Sequence, residues 1–148
     1  MERVIDKFID EEFFLSNFYN SPIEFNGKIY KTVEHAYQAH KADNEPEHEW
    51  VRNMDTPGKA KRTGMKVRLR KDWEEIKLGL MLELVRIKFS NPELSKKLTD
   101  TKNYLLVEGN FWHDNFFGNC TCSECKKIEG QNNLGKILMK VRQEIING

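Results

Sequence analysis

The sequence predicts an α+β domain that is mainly helical. Segments with apolar residues at helical spacing outnumber the strand signals, and the strand signals are too few for a doubly wound sheet. One β-hairpin signal is nevertheless strong. The chain of 148 residues is long enough to bury a core and carries no repeats or low-complexity linkers, so we expect a single compact domain over residues 1–148.

The hairpin and the first helix are predicted between residues 23 and 46. Asn26 and Gly27 supply the two positive-φ positions of a tight type I′ turn between two short strands. Thr32 is expected to cap the helix that follows. Pro46 and the charged residues before it are expected to end that helix.

The remaining elements are mostly helical. Residues 56–64 predict a short helix capped by Thr56, with Pro57 at its first position and Gly64 at its end. The strongest helix signal spans about residues 72–89, where the apolar residues at helical spacing are Trp73, Ile76, Leu80, Leu84 and Ile87. The last helix carries another such face, formed by Leu134, Ile137, Leu138, Val141 and Ile145.

Two elements are predicted between these long helices. Asn91-Pro92 starts another short helix. Residues 104–108 predict a buried strand that Gly109 ends. Helices therefore dominate the predicted fold throughout the chain.

Composition narrows the partners and the setting of the protein. Lys and Arg number 24 and Asp and Glu 23, so the net charge of +1 gives no argument for binding to nucleic acid or to a membrane surface. Only local basic patches could bind such partners. The start of the chain is too charged for a signal peptide, and no apolar run approaches a membrane span. The three cysteines, all between Cys120 and Cys125, are a poor disulfide framework. We therefore expect a reducing, cytoplasmic setting and no membrane contact.

Residues 32–41 place a carboxylate, an amide and an amine on one helix face. At about 100° per residue, Glu34, Gln38 and Lys41 return to within roughly 40° of one another. The helix dipole stabilises Glu34 as an anion, whereas Lys41 needs partial desolvation to act as a nucleophile or base at neutral pH. Taken alone, this stripe is more typical of a solvated surface than of the wall of a polar site.

Two further segments mix polar and aromatic residues. Asn17 is either part of a turn or an amide presented to a ligand by its aromatic neighbours. In residues 108–118, a loop could stack a planar base on Trp112 or Phe117 while Asp114 addresses a sugar. The alternative, equally well supported, is an aromatic plug of the core in which Asp114 is a turn residue.

Two segments near the end of the chain suggest metal or anion binding. Cys120, Cys122 and Cys125 could hold zinc, with His113 or another group as the fourth ligand. The pattern lacks a second cysteine pair, so three reduced cysteines without metal are nearly as well supported. Residues 130–135 lack the lysine and the preceding strand of a phosphate-binding loop, and they predict instead a helix start whose backbone N–H groups can meet an anion.

In their order along the chain, these motifs resemble the YbiA-like, or NADAR, family, and the resemblance covers nearly the whole chain. The motifs in the first half are residues 14–18, Val33-Glu34-His35 with Gln38 and Lys41, and Lys59-Ala60-Lys61 with Gly64. Those in the second half are Trp73 with Lys77 and Met81, Leu106-Val107-Glu108, residues 114–118, and Asn132-Asn133-Leu134-Gly135 with Leu138, Met139 and Arg142. Several spaced motifs in a fixed order are much harder to obtain by chance than any one of them.

The resemblance implies a YbiA-like domain with N-glycosidase activity on ribosyl compounds. Members of the family act on phosphorylated ribosyl intermediates of riboflavin synthesis or remove ADP-ribose from guanine bases. By motif, Glu34 and Asp114 are implied as catalytic carboxylates and Lys41 as a candidate amine nucleophile. The implied substrate-binding residues are Asn17, Phe18, Gln38, Lys61, Trp73, Trp112, Phe117, Gly118 and Asn132.

The resemblance also sets expectations for cofactors and partners. Catalysis is expected to require no cofactor, and zinc at the cysteines would be structural. The expected partner is a small nucleotide or ribosyl substrate, or ADP-ribosylated nucleic acid, with no obligate protein partner. The chain departs from the family at Phe117-Gly118, where Trp-Gly is usual, so we expect a different base preference.

Two other classes of function stay open at this point. One is a non-catalytic binding module for ADP-ribose or a related nucleotide, and the other is an interaction module stabilised by zinc. Glu34, Lys41 and Asp114 favour the enzyme, because binding alone does not demand all three. The cysteine cluster, which occurs in only part of the family, is the feature that supports an interaction module stabilised by zinc.

Overall fold

The computed structural model describes residues 3–148, so Met1 and Glu2 of the charged start lie outside the described residues. Within this range the α-helices are α1 (Val33–Ala39), α2 (Glu45–Arg52), α3 (Pro57–Gly64), α4 (Trp73–Lys88), α5 (Pro92–Thr99) and α6 (Asn133–Asn147). The strands are β1 (Val4–Ile5), β2 (Ile23–Phe25), β3 (Lys28–Tyr30), β4 (Leu105–Leu106), β5 (Gly109–Asn110) and β6 (Asn119–Cys120), and a 3₁₀ helix spans Asp10–Leu15. The predicted α+β class with dominant helices is confirmed.

The chain divides into two compact units. One comprises Asn17–Lys88, and the other comprises the residues up to Ser16 together with Phe89–Gly148. The longest helix, α4, has 16 residues, and no helix in residues 3–148 combines the length and the apolar content needed to cross a bilayer.

Helix α1 is fully enclosed in the unit of residues 17–88. All of its residues are buried, because α2, α3, α4 and β3 contact it. The predicted cap is confirmed, since the Thr32 hydroxyl accepts a hydrogen bond from the backbone N–H of His35 at 3.1 Å. The helix ends at Ala39, so Lys41 lies in the turn just beyond it rather than in the helix.

The hairpin is confirmed, but the expected role of Pro46 is wrong. Strands β2 and β3 pair antiparallel, and Asn26 and Gly27 have the positive φ angles of 52° and 79° that a type I′ turn requires. Pro46 does not end a helix; it lies in the first turn of α2, which Asn44 caps. Proline is tolerated there because the first N–H groups of a helix have no partner within the helix.

Helices α3 and α4 form where the sequence predicts them, but α4 buries a different face. Of its five predicted core positions, Trp73 and Leu84 are buried, whereas Ile76, Leu80 and Ile87 are only partly buried. The other buried residues of α4 are Met81, Val85 and Lys88. Because apolar residues occur on more than one side of α4, their spacing did not determine which side faces the core.

The second unit joins short parallel strands to α5 and α6. Strand β1 pairs with β4, and α6 packs against β4 and α5. The predicted strand over residues 104–108 is shorter than expected, and Gly109 begins β5 instead of ending β4. A Cβ at Gly109 would overlap the backbone oxygen of Asp6, so glycine permits this close approach of two backbones. The face of α6 is confirmed, with Ile145 only partly buried.

Candidate active site

A buried carboxylate and a buried amide lie next to each other on α1. Glu34 is 8% exposed and Gln38 is 4% exposed. The amide nitrogen of Gln38 donates a hydrogen bond to Oε2 of Glu34 at 2.7 Å. The interpretation of this stripe as a solvated surface is wrong, because the neighbouring helices enclose α1 on every side. Burying a carboxylate is costly unless it is paired, so the Gln38 hydrogen bond offsets part of that cost.

Gln38 is held in place by its packing against Gly64 of α3. A Cβ at Gly64 would overlap the amide oxygen of Gln38. Among the described residues, that oxygen has no hydrogen-bond partner, so the amide is oriented by its donation to Glu34 and by the space that glycine leaves. The sequence predicted Gly64 as a helix end and as part of a family motif, but this contact between two helices was missed.

Lys41 lies beside two aromatic rings. Its Nζ is 5.8 Å from the ring centroid of Tyr37 and 6.0 Å from that of Trp73. The two rings contact each other, with centroids 4.9 Å apart. Such distances allow cation–π attraction while the amine is charged. Tyr37 was not among the predicted site residues, although it stands one turn before Lys41.

The surroundings of Lys41 favour its neutral form. Burial lowers the pKa of Lys41; the charge of Glu34 opposes this change, and the charges of Lys61 and Lys77 add to it. Lys77 also forms an ion pair with Glu74 at 2.5 Å. A lysine with a lowered pKa has a larger neutral fraction near pH 7, which nucleophilic or base chemistry requires.

Asn17 connects α1 to α4. Its backbone oxygen accepts a hydrogen bond from the N–H of Glu34 at 3.1 Å, and its side-chain nitrogen donates to the sulfur of Met81 at 3.5 Å. Phe18, the next residue, is partly buried. Contacts or electrostatic interactions thus link six predicted site residues of this unit: Asn17, Glu34, Gln38, Lys41, Lys61 and Trp73.

In the other unit, Asn110 organises the loop that carries Asp114. The Asn110 side-chain oxygen accepts hydrogen bonds from the N–H groups of Trp112 and Asp114 at 3.3 and 3.1 Å. Its nitrogen donates to the Asp114 carbonyl at 2.9 Å and to the Glu108 carboxylate at 3.0 Å. The sequence pointed to this segment but to neither Glu108 nor Asn110 as site residues, because their contacts depend on how the loop folds back.

Asp114 closes a turn with one of its two oxygens. Oδ1 accepts hydrogen bonds from the N–H groups of Phe116 and Phe117 at 3.1 and 2.9 Å. This is the turn role that the sequence left open for Asp114. Trp112 is 47% exposed, so it is not part of an aromatic core plug. The catalytic role of Asp114 and the substrate contacts of Trp112 and Phe117 stay predictions.

Asn132 and Gly118 make contacts with other residues of the protein that stabilise the local structure. Asn132 has a left-handed φ of 51°, accepts a hydrogen bond from the Glu108 N–H at 2.9 Å, and donates to the Leu106 carbonyl at 2.9 Å. A Cβ at Gly118 would overlap the carboxylate and the backbone oxygen of Glu108. Direct substrate contacts by Asn132 and Gly118 stay predictions.

The expectation that the start of α6 offers its N–H groups to an anion is wrong. The backbone N–H groups of residues 131–134 donate to the carbonyls of residues 115–118 at 2.8–3.2 Å. The aromatic loop, which comprises residues 111–118 between β5 and β6, therefore takes up the donors that an anion would need.

A possible metal-binding cluster lies at the end of the same loop. The Sγ atoms of Cys120, Cys122 and Cys125 and a ring nitrogen of His113 all lie within 4.8 Å of one another. All three cysteines are free thiols. The structure thus brings together the three predicted cysteine ligands and the histidine suggested as the fourth.

Comparison with known proteins adds the family. A model of the NADAR domain matches residues 6–146. The N-glycosidase YbiA of Escherichia coli K12 is 34% identical over 137 residues, which cover 88% of this chain and 79% of that protein. An N-glycosidase of Nostoc punctiforme is 36% identical over 138 residues, covering 89% and 85%. The chloroplastic riboflavin biosynthesis protein PYRR of Zea mays is 34% identical over 128 residues, covering 78% of this chain but 20% of that protein.

A solved structure supports the same relationship. The NMR structure of E. coli YbiA matches with a TM-score of 0.83 and 33% identity, covering 99% of this chain and 88% of that one. Fold and relatives define a class of hydrolases, the N-glycosidases. The chain belongs to the NADAR family. The predicted family and enzyme class are thereby confirmed.

Proposed function

We propose that this protein hydrolyses the N-glycosidic bond of a phosphorylated ribosyl or ADP-ribosyl compound. The observation that carries the proposal is the buried carboxylate of Glu34, which Gln38 orients and which acts electrostatically on a lysine of lowered pKa. Perturbed ionisable groups of this kind are typical of active sites. A solvated surface or a purely structural helix would not need all three groups together.

The reaction suits a carboxylate in this setting. The bond between the anomeric carbon of the ribose and a nitrogen of the base breaks, and a bond from that carbon to a water oxygen forms. One proton of the water ends on the departing base. Positive charge develops on the anomeric carbon in the transition state, and a carboxylate such as Glu34 stabilises it electrostatically. This stabilisation is stronger in a buried site than in water.

Lys41 has two candidate roles. As a nucleophile, its neutral amine attacks the anomeric carbon and displaces the base, which leaves with the proton that the amine loses. The resulting glycosylamine opens its sugar ring to a Schiff base as its remaining N–H proton moves to the ring oxygen. Water then hydrolyses the Schiff base, which releases the sugar and restores the lysine amine. As a binding group, its charged amine holds a phosphate while a carboxylate activates water directly. Lys61 and Lys77, which act electrostatically on Lys41, add positive charge that suits a phosphorylated substrate.

Borohydride trapping distinguishes the two roles. Borohydride reduces a Schiff base to a stable amine, so peptide mapping after turnover would find the ribosyl adduct on Lys41 if it is the nucleophile. Lys59, an exposed-surface lysine of α3 that pairs with Asp55, is the internal control and should stay unmodified. Turnover without any adduct on Lys41 would exclude the Schiff-base role and leave the binding role.

Asp114 is our candidate for a second catalytic carboxylate. Because Oδ1 caps the turn of the aromatic loop, we assign the proton transfer or charge stabilisation to Oδ2. Asp114→Asn keeps Oδ1-type capping, since an amide oxygen also accepts from backbone N–H groups. We expect it to lower turnover without unfolding the loop.

The substrate class is tested by direct assay. One assay uses phosphorylated riboflavin precursors, because two relatives are named as riboflavin biosynthesis proteins. The other assay uses ADP-ribosylated guanine in single-stranded DNA. The net charge of +1 favours a small or single-stranded substrate over long duplex DNA. Release of free base from either supports the proposal. Tight binding with no release from any ribosyl substrate would instead support the non-catalytic binding module.

A further inference from the structure

We propose that His113, Cys120, Cys122 and Cys125 bind one Zn²⁺ in a closed structural site that fixes the aromatic loop. Cys120 is the last residue of β6, Cys122 and Cys125 lie in the short turn that follows, and His113 lies in the loop between β5 and β6. The proposal is independent of the substrate and of the roles of Glu34 and Lys41.

The distances between the ligand atoms match tetrahedral zinc. Nδ1 of His113 lies 3.4 Å from Sγ of Cys125 and 3.4 Å from Sγ of Cys122. Zinc bonds of about 2.3 Å to sulfur and 2.0–2.1 Å to nitrogen, at tetrahedral angles, place N and S about 3.6 Å apart and two sulfurs about 3.8 Å apart. Since all ligand atoms already lie within 4.8 Å of one another, the widest pair needs to close by only about 1 Å.

Backbone hydrogen bonds hold the sulfurs in convergence. Residues 122–126 form a tight turn in which the N–H groups of Cys125 and Lys126 donate to the Cys122 carbonyl at 3.1 and 2.9 Å. The N–H of His113 donates to Sγ of Cys120 at 3.3 Å. The N–H of Cys120 in turn donates to the side-chain oxygen of Asn115 at 2.9 Å. Such outer hydrogen bonds orient ligands and help to stabilise thiolates.

The ligand set indicates a structural role for the metal. Four protein ligands leave no open coordination position for water or substrate. Cys120 and Cys125 are buried, whereas His113 is exposed, so the ion has access from solvent on the histidine side. His113 has a left-handed φ of 69°, a conformation that costs energy for a non-glycine residue and that a metal bond would help to hold.

Ligation ties the loop down at both ends. His113 directly precedes Asp114, and Cys120 lies in β6, so the metal bridges the segment that carries Asp114 and Phe117. Removing the metal should therefore loosen this segment before the rest of the chain. Metal content and backbone protection report this effect without any assay of activity.

The first experiment measures metal in protein purified without a histidine tag and under reducing conditions. We expect one zinc per chain by mass spectrometry, and cobalt substitution should give the intense visible bands and thiolate charge-transfer bands of a tetrahedral sulfur-rich site. Cys122→Ser should lose the zinc and the cobalt spectrum. Ser123→Ala, in the same turn but without a ligand atom in the cluster, is the matched control and should keep both.

The second experiment covers the case in which Cys122→Ser fails to fold. Wild-type protein is compared before and after a chelator by hydrogen–deuterium exchange. Faster exchange confined to about residues 111–127 after zinc removal supports the proposal, and re-addition of zinc should reverse it. Reduced, folded protein that contains no zinc, takes up neither zinc nor cobalt and exchanges equally with and without the chelator would overturn it.

Discussion

The contact between Gly64 and Gln38 gives a sharp test of how the carboxylate is oriented. In Gly64→Ala, the new Cβ overlaps the amide oxygen of Gln38, so the amide has to move and its 2.7 Å hydrogen bond to Glu34 is lost. A hydrogen bond to a charged group is worth about 1.5–3 kcal/mol. If Gln38 acts mainly in the transition state, kcat/KM should fall by about 10- to 150-fold.

The fold should survive this substitution. Alanine gains up to about 1 kcal/mol over glycine inside a helix and less at the last helical residue, where Gly64 lies, whereas overpacking costs about 1–3 kcal/mol. Gly64→Ala is therefore expected to lose at most about 3 kcal/mol in urea unfolding. Gly79→Ala on α4 is the matched control, because a Cβ there would have no atom within 4 Å. It should gain up to about 1 kcal/mol and keep its activity.

A double variant tests whether Gly64→Ala lowers activity by displacing the Gln38 amide or by disturbing the fold more widely. In a Gln38→Ala background, Gly64→Ala should cost little further activity, because no amide is left to displace. The rate of base release at substrate concentrations well below KM gives kcat/KM for the wild type, the two single variants and the double variant. If Gly64→Ala folds normally and keeps the wild-type kcat/KM, the Gln38 contact does not orient a catalytic carboxylate and the reasoning is refuted.

Three further predictions concern stability and pH. Burial lowers the pKa of Lys88 to about 7 from an ordinary value of 10.5, so the unfolded chain binds more protons between these pH values and stability should rise with pH by up to about 1.4 kcal/mol per unit. The free energy of unfolding in urea is measured at several pH values for the wild type and for Lys88→Met, and the difference between the two proteins isolates the contribution of Lys88. The same pH dependence in both proteins would contradict the lowered pKa of Lys88. Gly118→Ala should lose about 1–3 kcal/mol because its Cβ overlaps the carboxylate and carbonyl of Glu108, and an unchanged urea midpoint would contradict that contact. Asn132→Ala should lose a similar amount, about 1–3 kcal/mol, because it removes the two side-chain hydrogen bonds of Asn132. Asn132→Gly should recover part of this loss, because glycine adopts the positive φ of this position freely. Equal stability of the two variants would show that the positive φ contributes nothing to the loss in Asn132→Ala.

Local signals in the sequence predicted much of the fold. The Asn26-Gly27 turn and the caps of Thr32 and Thr56 form as expected, because each depends on residues close in sequence. Pro46 shows the limit of such signals, since a proline is compatible with both the end of one helix and the first turn of the next. The side of α4 that faces the core was likewise not determined by spacing.

The site was harder to predict than the fold, for a physical reason. The burial of Glu34 depends on three helices that pack around α1, and the role of Gly64 depends on a side chain of another helix. Neither contact leaves a pattern in the local sequence. The cysteine cluster was predictable because its ligands lie close together along the chain, and its histidine follows from the same short segment.

The most direct test of the central claim is the rate of base release by Glu34→Gln under single-turnover conditions. The replacement removes the negative charge, but its amide oxygen still accepts the Gln38 hydrogen bond, so the fold should be retained. We expect release to fall by about 10²- to 10⁴-fold while the dissociation constant for the substrate stays within a few-fold of the wild type. Base release at the wild-type rate by a folded Glu34→Gln protein would show that the buried carboxylate does not perform the chemistry.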